Sequence, residues 1–142
     1  MQHILLGVLG ALSAALCCTG ASAADAYPGK PIRIVIGALP GSNTDYFFRT
    51  IQNAMGSALG QQLIADYRAG GGGLVGSAAT SKAAPDGYTL LMATSSPMAI
   101  NVTLHKALPF DPAQDFVPLA LVAQSPFVMV VNPQVSAKTV QE

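Results

Sequence analysis

The chain of 142 residues carries seven Lys and Arg residues against seven Asp and Glu residues, so its formal net charge is zero at pH 7. A neutral chain gives no support to nucleic-acid binding, which usually requires a basic stripe or patch. Charged residues make up 10% of the chain and hydrophobic residues 51%, so little of its surface can face water, and we expect further polypeptide to cover part of it.

The first 23 residues have the pattern of a cleaved secretory signal peptide. An uncharged apolar run over residues 4–16 precedes residues 21–23 (ASA), which fit the A-x-A pattern of a cleavage site. The run is too short to cross a bilayer, which takes about 20 apolar residues. Leu16 stands where a lipid-anchor motif before Cys17 needs a small residue. We therefore expect cleavage near Ala23, export to the periplasm, and a mature chain of 142 − 23 = 119 residues without cysteine.

After this segment, predicted strands and helices alternate. Residues 31–36 (PIRIVI) are nearly all apolar and mostly β-branched, which is typical of a strand covered on both faces in a parallel sheet. Apolar residues then recur at spacings of three and four, which predicts a helix that Gly60 ends. The predicted order is strand 31–36, helix 44–59, strand 61–67, helix 74–84 and strand 88–93. This order, with its short connections, predicts an α/β fold with a parallel sheet.

The last third of the chain is less regular. Residues 98–118 show no clear period, and two apolar runs at 119–123 and 127–132 predict two further strands. Residues 139–142 (TVQE) fit a capping box, in which Thr139 begins a helix. From this helix start we expect the chain to be the N-terminal portion of a longer protein.

Three loops rich in glycine or hydroxyl groups follow the predicted strands. They are residues 40–44 (PGSNT, the first loop), 69–73 (AGGGG, the glycine loop) and 94–96 (TSS, the third loop). Ligands of open parallel sheets bind outside the carboxyl ends of the strands, and the first two loops lead into helix N-termini, which attract anions. We therefore predict a cleft that holds a small anion through backbone and hydroxyl contacts. The candidate contacts are Gly41, Ser42, Asn43, Thr44, Asp45, Gly71, Gly72, Gly73, Thr94 and Ser95.

The glycine loop also invites a cofactor interpretation, because Gly71, Gly73 and Gly76 fit the G-x-G-x-x-G spacing of dinucleotide-binding turns. That motif needs an acidic residue about 20 positions later, at the end of the next strand. Asp86 comes too early, and the next predicted strand ends at Thr94. No Gly-Lys-Ser/Thr sequence follows the glycines, as a phosphate loop requires. No cofactor is therefore predicted.

Catalytic and metal-binding patterns are weak. No serine stands in G-x-S-x-G, and His105 is the only histidine after the predicted cleavage site, so neither a nucleophile nor a metal site is predicted. Asp111 and Asp115 could pair as acid and base in an exported enzyme that acts on a carboxylic acid. Pro112 and the flanking Phe residues favour a structured turn instead.

Asp45 has two interpretations that the residues leave open. At the start of the predicted helix its carboxylate could cap the helix and complement the dipole. It could equally point into the cleft and bind water or an amino group of a ligand. Arg49 and Arg68 could supply positive charge to an acid, although Arg68 directly precedes the glycine loop and could simply brace it.

Three long stretches resemble the extracytoplasmic solute receptors of tripartite tricarboxylate transporters, the Bug-type receptors. The stretches are residues 27–45 (YPGKPIRIVIGALPGSNTD), 68–96 (RAGGGGLVGSAATSKAAPDGYTLLMATSS) and 108–133 (LPFDPAQDFVPLALVAQSPFVMVVNP). They cover nearly the whole predicted mature chain. The elements AAPDGYTLL and LPFDPAQDF are highly specific to that family.

The resemblance implies a periplasmic protein with two α/β lobes, similar to type II periplasmic binding proteins, that closes on its ligand by hinge motion. It implies a signal peptide over residues 1–23, the first lobe over 24–124, and the crossover with the start of an incomplete second lobe over 125–142. It further implies a small carboxylate ligand, held by loop amides and water rather than by an arginine clamp. Permease subunits of the transporter, or a signalling system that the receptor serves as sensor, are the implied partners of a receptor that is monomeric at full length and is not an enzyme.

The resemblance also assigns the three loops. The first binding loop of the family, commonly Pro-Gly-Gly-x-x-Asp, corresponds to residues 40–45, where Ser42 replaces the second glycine and adds a hydroxyl. The glycine-rich second binding loop of the family corresponds to residues 70–73, and its third binding loop corresponds to residues 94–96. Tyr67 and Leu74 stand where the family often has Asn, which puts polar contacts from these two positions in doubt.

Overall fold

A computed structural model describes residues 26–136 and 139–141, so the predicted signal peptide lies outside the described residues. Within them, β1 (Ile32–Ile36), β2 (Leu63–Tyr67) and β3 (Thr89–Met92) form a parallel sheet in the order β2-β1-β3. Ile36 lies opposite Tyr67 on one side and Met92 on the other. The three carboxyl ends are therefore level, and the loops that follow them begin at one edge of the sheet.

The first helix, α1 (Asn43–Leu59), begins and ends with clear capping signals. The Ser42 hydroxyl accepts a hydrogen bond from the Asp45 N–H at 3.3 Å, as an N-cap side chain does. Gly60 ends the helix in the left-handed conformation with φ 66°, which glycine adopts without a steric cost. The predicted strand–helix–strand order and the Gly60 stop are confirmed.

The core lies between α1 and one face of the sheet. Side chains two residues apart on a strand share a face, and the buried cluster consists of Ile32, Ile34, Ile36, Phe48 and Leu63. Val35, which alternation places on the other face of β1, is also buried. Both faces of β1 are thus covered, which is why this strand is almost continuously apolar.

The second helix, α2 (Leu74–Ser81), ends three residues before the predicted position, and its last turn closes at Lys82. After β3, Ser96–Ile100 form a π-helical turn that continues into the short helix α3 (Asn101–Leu104), in a stretch predicted to be irregular. In the described part of the chain, no helix has the length and apolarity needed to cross a bilayer.

The prediction of two strands at residues 119–123 and 127–132 is wrong for this structure, because both segments are irregular and largely exposed. Leu119 is 74% exposed and Phe127 is fully exposed. A strand needs a neighbour for its N–H and C=O groups, and the described residues provide none beside these segments. Residues 139–141 lie in a bend and a turn, and Glu142, the last residue of the predicted capping box, is outside the described residues.

Candidate functional site

A cavity of about 190 Å³ lies at the carboxyl edge of the sheet. Each of the three predicted loops contributes to its wall, and β3 and α2 complete it. The wall carries neither an acidic nor a basic side chain, so the polar groups there are amides and hydroxyls. The lining residues include Gly37, Thr44, Gly72, Gly73, Ser77 and Thr94.

Four of the ten predicted contacts line this cavity, namely Thr44, Gly72, Gly73 and Thr94. The other six belong to the same loops or to the start of α1, but they stand beside the cavity rather than in its wall. These six are Gly41, Ser42, Asn43, Asp45, Gly71 and Ser95. The structure thus brings the three loops together, and the binding role of each residue stays a prediction.

The first loop presents the start of α1 to the cavity. Asn43 and Thr44 are the first two residues of the helix, so their N–H groups have no intrahelical carbonyl to bond. The Ser42 N–H is instead bonded to the Leu39 carbonyl at 3.2 Å, and the Gly41 N–H to the Asp45 carboxylate at 2.8 Å. The N–H groups of Asn43 and Thr44 can therefore donate hydrogen bonds to a negatively charged oxygen.

The glycine loop has a backbone conformation that other residues adopt only at an energetic cost. Residues 70–73 all have positive φ, from 56° to 140°, a conformation that costs other residues about 1–2 kcal/mol each. A Cβ on Gly72 would lie 3.4 Å from the Ser96 Oγ, in ordinary contact with the segment after β3. The bare backbone therefore turns sharply and lies against that segment.

Two further glycines let α2 approach β1 at backbone distance. A Cβ on Gly76 would lie 2.9 Å from the Cα of Gly37, and a Cβ on Gly37 would lie 3.0 Å from the Cα of Gly73. No ordinary side chain fits into either gap. Gly73 and Gly76 therefore serve close packing of the helix on the strand, which explains the spacing that resembles a dinucleotide motif.

The Asp45 carboxylate is buried and bound by protein donors. The Tyr67 hydroxyl donates to Oδ1 at 2.7 Å, the Gly41 N–H donates to Oδ2 at 2.8 Å, and Arg49 Nε lies 3.0 Å from Oδ1 and 3.2 Å from Oδ2. The Tyr67 and Gly41 hydrogen bonds, followed by Arg49, lower the pKa of Asp45 against the opposing effect of burial. The same contact with Asp45 raises the pKa of Tyr67 and that of Arg49.

The other charged candidates are engaged elsewhere. Arg68 Nε lies 2.9 Å from Asp66 Oδ2, so its guanidinium braces the end of β2. Asp111 accepts from the Ala113 and Gln114 N–H groups, and Asp115 accepts from the Asp111 N–H at 2.8 Å. Both aspartates thus stabilise a turn, as their flanking residues predict. His105 is exposed at the end of α3.

Sequence reasoning missed Ser77 and Asn101. The Ser77 side chain is 1% exposed, lines the cavity and donates to the Gly73 carbonyl at 3.0 Å. Asn101 is buried, and its Nδ2 would lie 3.8 Å from a Cβ on Gly72. The spacing of Gly73, Gly76 and Ser77 places small residues on one helix face, and this pattern could have indicated Ser77.

Comparison with known proteins decides the family. Residues 47–142 match the model of the tripartite tricarboxylate transporter family receptor. The chain belongs to this receptor family. It is 38% identical to protein BugT of Bordetella pertussis over 131 residues, which are 92% of this chain and 40% of BugT. The chain therefore spans well under half the length of this relative.

Solved structures of relatives agree with the fold. A protein described as a periplasmic transporter is 42% identical, with a TM-score of 0.60 over 61% of this chain and 29% of that one. MatC from Rhodopseudomonas palustris, solved with bound malate, is 31% identical, with a TM-score of 0.65 over 68% of this chain and 33% of MatC. R. palustris Rpa4515, solved with adipate, is 28% identical, with a TM-score of 0.59 over 61% of this chain and 29% of that one. The resemblance to Bug-type receptors and the predicted α/β lobe with a parallel sheet are confirmed.

Proposed function

We propose that this chain supplies the first lobe of a periplasmic receptor that binds a small carboxylic acid for a tripartite tricarboxylate-type transporter. The observation that carries the proposal is the meeting of three loops around a cavity whose wall has no charged side chain. An anion bound in this cavity would be held by hydrogen bonds from backbone N–H groups and hydroxyls, because the wall has no positively charged side chain to pair with it. Thr44 and Thr94, which both line the cavity, can donate hydrogen bonds to the ligand through their hydroxyls.

The relatives support a carboxylate as the ligand class. MatC was solved with malate and Rpa4515 with adipate. Both ions carry two carboxylates on a short carbon chain. A cavity of about 190 Å³ lies below the roughly 300–1,000 Å³ of ligand pockets in general, so these residues accommodate one end of such an ion.

In this proposal, residues 24–124 form the first lobe and residues 125–142 the crossover to a second lobe, which closes over the ligand. The exposed apolar residues of the crossover, such as Phe127 and Val130, would then be covered by that lobe. The receptor delivers the acid to membrane permease subunits, acts as a monomer, carries no cofactor and leaves its ligand unchanged.

A thermal-shift screen of the full-length protein against carboxylic acids tests the ligand class. A ligand that binds the folded state adds about 2.7 kcal/mol to the free energy of unfolding at a concentration of 100 times Kd. We expect at least one acid to raise the melting temperature in a saturable way, and its neutral diamide to have no effect. Equal shifts with acid and diamide, or none with any acid, would contradict the proposal.

The position of the site is tested by Gly72→Leu with Gly60→Leu as the matched control. The two glycines have nearly the same backbone conformation, with φ 64° and 66°, so the strain of a side chain is comparable. Gly60 lies at the far end of α1, and a Cβ there would meet nothing within 4 Å. We expect the acid-dependent shift to disappear in Gly72→Leu and to persist in Gly60→Leu. An acid-dependent shift that is retained in both variants would show that the acid binds at another site.

A further inference from the structure

The Asp45 carboxylate links the first loop to the end of β2 through hydrogen bonds. These contacts point to a residue that affects the binding site without contacting the ligand. Asp45 has a side chain that is 5% exposed, and its neighbour Thr44 lines the cavity. Its carboxylate receives donors from three parts of the chain, namely Gly41 in the first loop, Arg49 in α1 and Tyr67 at the end of β2. Arg49 Nη2 also donates to the Tyr67 hydroxyl at 2.8 Å, which closes a ring of contacts.

This arrangement leaves Asp45 unsuited to binding a ligand itself. Both of its oxygens are occupied by protein donors, and the surrounding protein leaves little of the side chain accessible. A free carboxylate beside an anion site would also repel the ligand. Arg49 compensates that charge, the two neutral donors solvate it, and Asp45 is not among the residues of the cavity wall.

We infer that Tyr67 is a positioning residue: its hydroxyl fixes the Asp45 carboxylate, which holds the Gly41 amide and thereby the first loop beside the cavity. The inference rests on the proposed function, because it concerns the same site. The Tyr67 backbone is paired with Ile36 in the sheet, so the phenol has a rigid base. The Asp45–Gly41 bond spans the first loop from its second residue to the first turn of α1, and it adds to the bonds that Ser42 makes there.

The test replaces Tyr67 by Phe in the full-length protein and uses Tyr46→Phe as the control. Both changes remove one phenolic oxygen and keep the ring, but Tyr46 lies on the exposed face of α1 and is 67% exposed. Binding of the acid found in the thermal-shift screen is measured by calorimetry. Mutations that act on a site without contacting the ligand change affinity by about twofold to thirtyfold. We expect a loss in this range for Tyr67→Phe and no change for Tyr46→Phe.

A second readout separates positioning from general loss of structure. The amide resonance of Gly41 reports the ionisation of Asp45, because its N–H donates to that carboxylate. The acid titration of this resonance, measured without ligand, should have a higher midpoint in Tyr67→Phe than in the wild type, since a donor to the ionised form is lost. Tyr46→Phe should leave the midpoint unchanged.

Two outcomes would overturn the inference. An unchanged Gly41 midpoint in Tyr67→Phe would show that the phenol does not hold the carboxylate. A raised midpoint with unaltered affinity would show that the contact does not position the site. A wild-type protein that binds no acid would contradict the proposed function, and the Gly41 resonance would still decide whether Tyr67 holds Asp45.

Discussion

Replacing Gly76 by Ala should destabilise the protein, although the same change in most helices is stabilising. Ala exceeds Gly in helix propensity by about 0.8–1.0 kcal/mol. Here, however, the new Cβ would lie 2.9 Å from the Cα of Gly37 and 3.3 Å from the Arg68 carbonyl oxygen. The first distance falls about 0.6–1.1 Å short of the optimal separation of two carbon atoms.

The sign of the effect follows from what surrounds the new methyl group. Both close neighbours are backbone atoms, which cannot rotate away, so α2 must move off the sheet. Overpacking of this kind costs about 1–3 kcal/mol. After the propensity gain is subtracted, we expect a net loss of up to about 2 kcal/mol in the free energy of unfolding.

Urea unfolding of the full-length variants, followed by circular dichroism, measures this loss. Gly29→Ala is the control, because a Cβ there would lie 3.6 Å from its nearest neighbour atom, the Ala26 carbonyl oxygen, and its stability should change by less than about 0.5 kcal/mol. An increase of about 1 kcal/mol in Gly76→Ala, as in an ordinary exposed helix, would refute the close packing of α2 on β1.

Two further predictions concern the core and the buried carboxylate. Phe48→Ala removes the buried ring between α1 and the sheet, and we expect it to lower the free energy of unfolding, measured by urea titration, by about 3–5 kcal/mol. Tyr46→Ala, on the exposed face of the same helix, should change this free energy by less than about 0.5 kcal/mol. Similar losses in both variants would contradict the assigned core. Because the pKa of Asp45 is lowered in the fold, its contribution to stability is complete above the ordinary aspartate pKa of about 3.9 and is lost as the pH falls through the lowered value. Melting temperatures across this acid range should fall less steeply in Asp45→Asn than in the wild type, and parallel curves would contradict the role of the carboxylate.

The sheet could be predicted from sequence because its determinants are local. The apolar run at 31–36, the periodic helix before Gly60 and the short links between elements each occupy a continuous stretch, and together they require parallel strands. Aligned strand ends then bring the following loops to one edge. This is why the sequence predicts that the three loops lie near one another, and Thr44, Gly72 and Thr94, which are far apart in the chain, line one cavity.

What could not be predicted depends on contacts between distant residues. The role of Asp45 is open at the level of sequence because its shortest hydrogen bond comes from Tyr67, which follows 22 residues later on another element. The gap that Gly37, Gly73 and Gly76 keep free exists only once α2 is packed on β1. The apolar runs near the end of the chain have the composition of strands, but pairing requires a neighbouring strand that a local pattern does not specify.

The effect of the bound acid on backbone amide resonances locates the binding site. The full-length protein, labelled with ¹⁵N, is titrated with the acid that raises its melting temperature. We predict that the amide resonances of Thr44, Gly72, Gly73 and Thr94 shift together along one saturation curve. Saturable shifts confined to other residues, with these four unchanged, would contradict the claim that the loops at the carboxyl edge of the sheet bind the ligand.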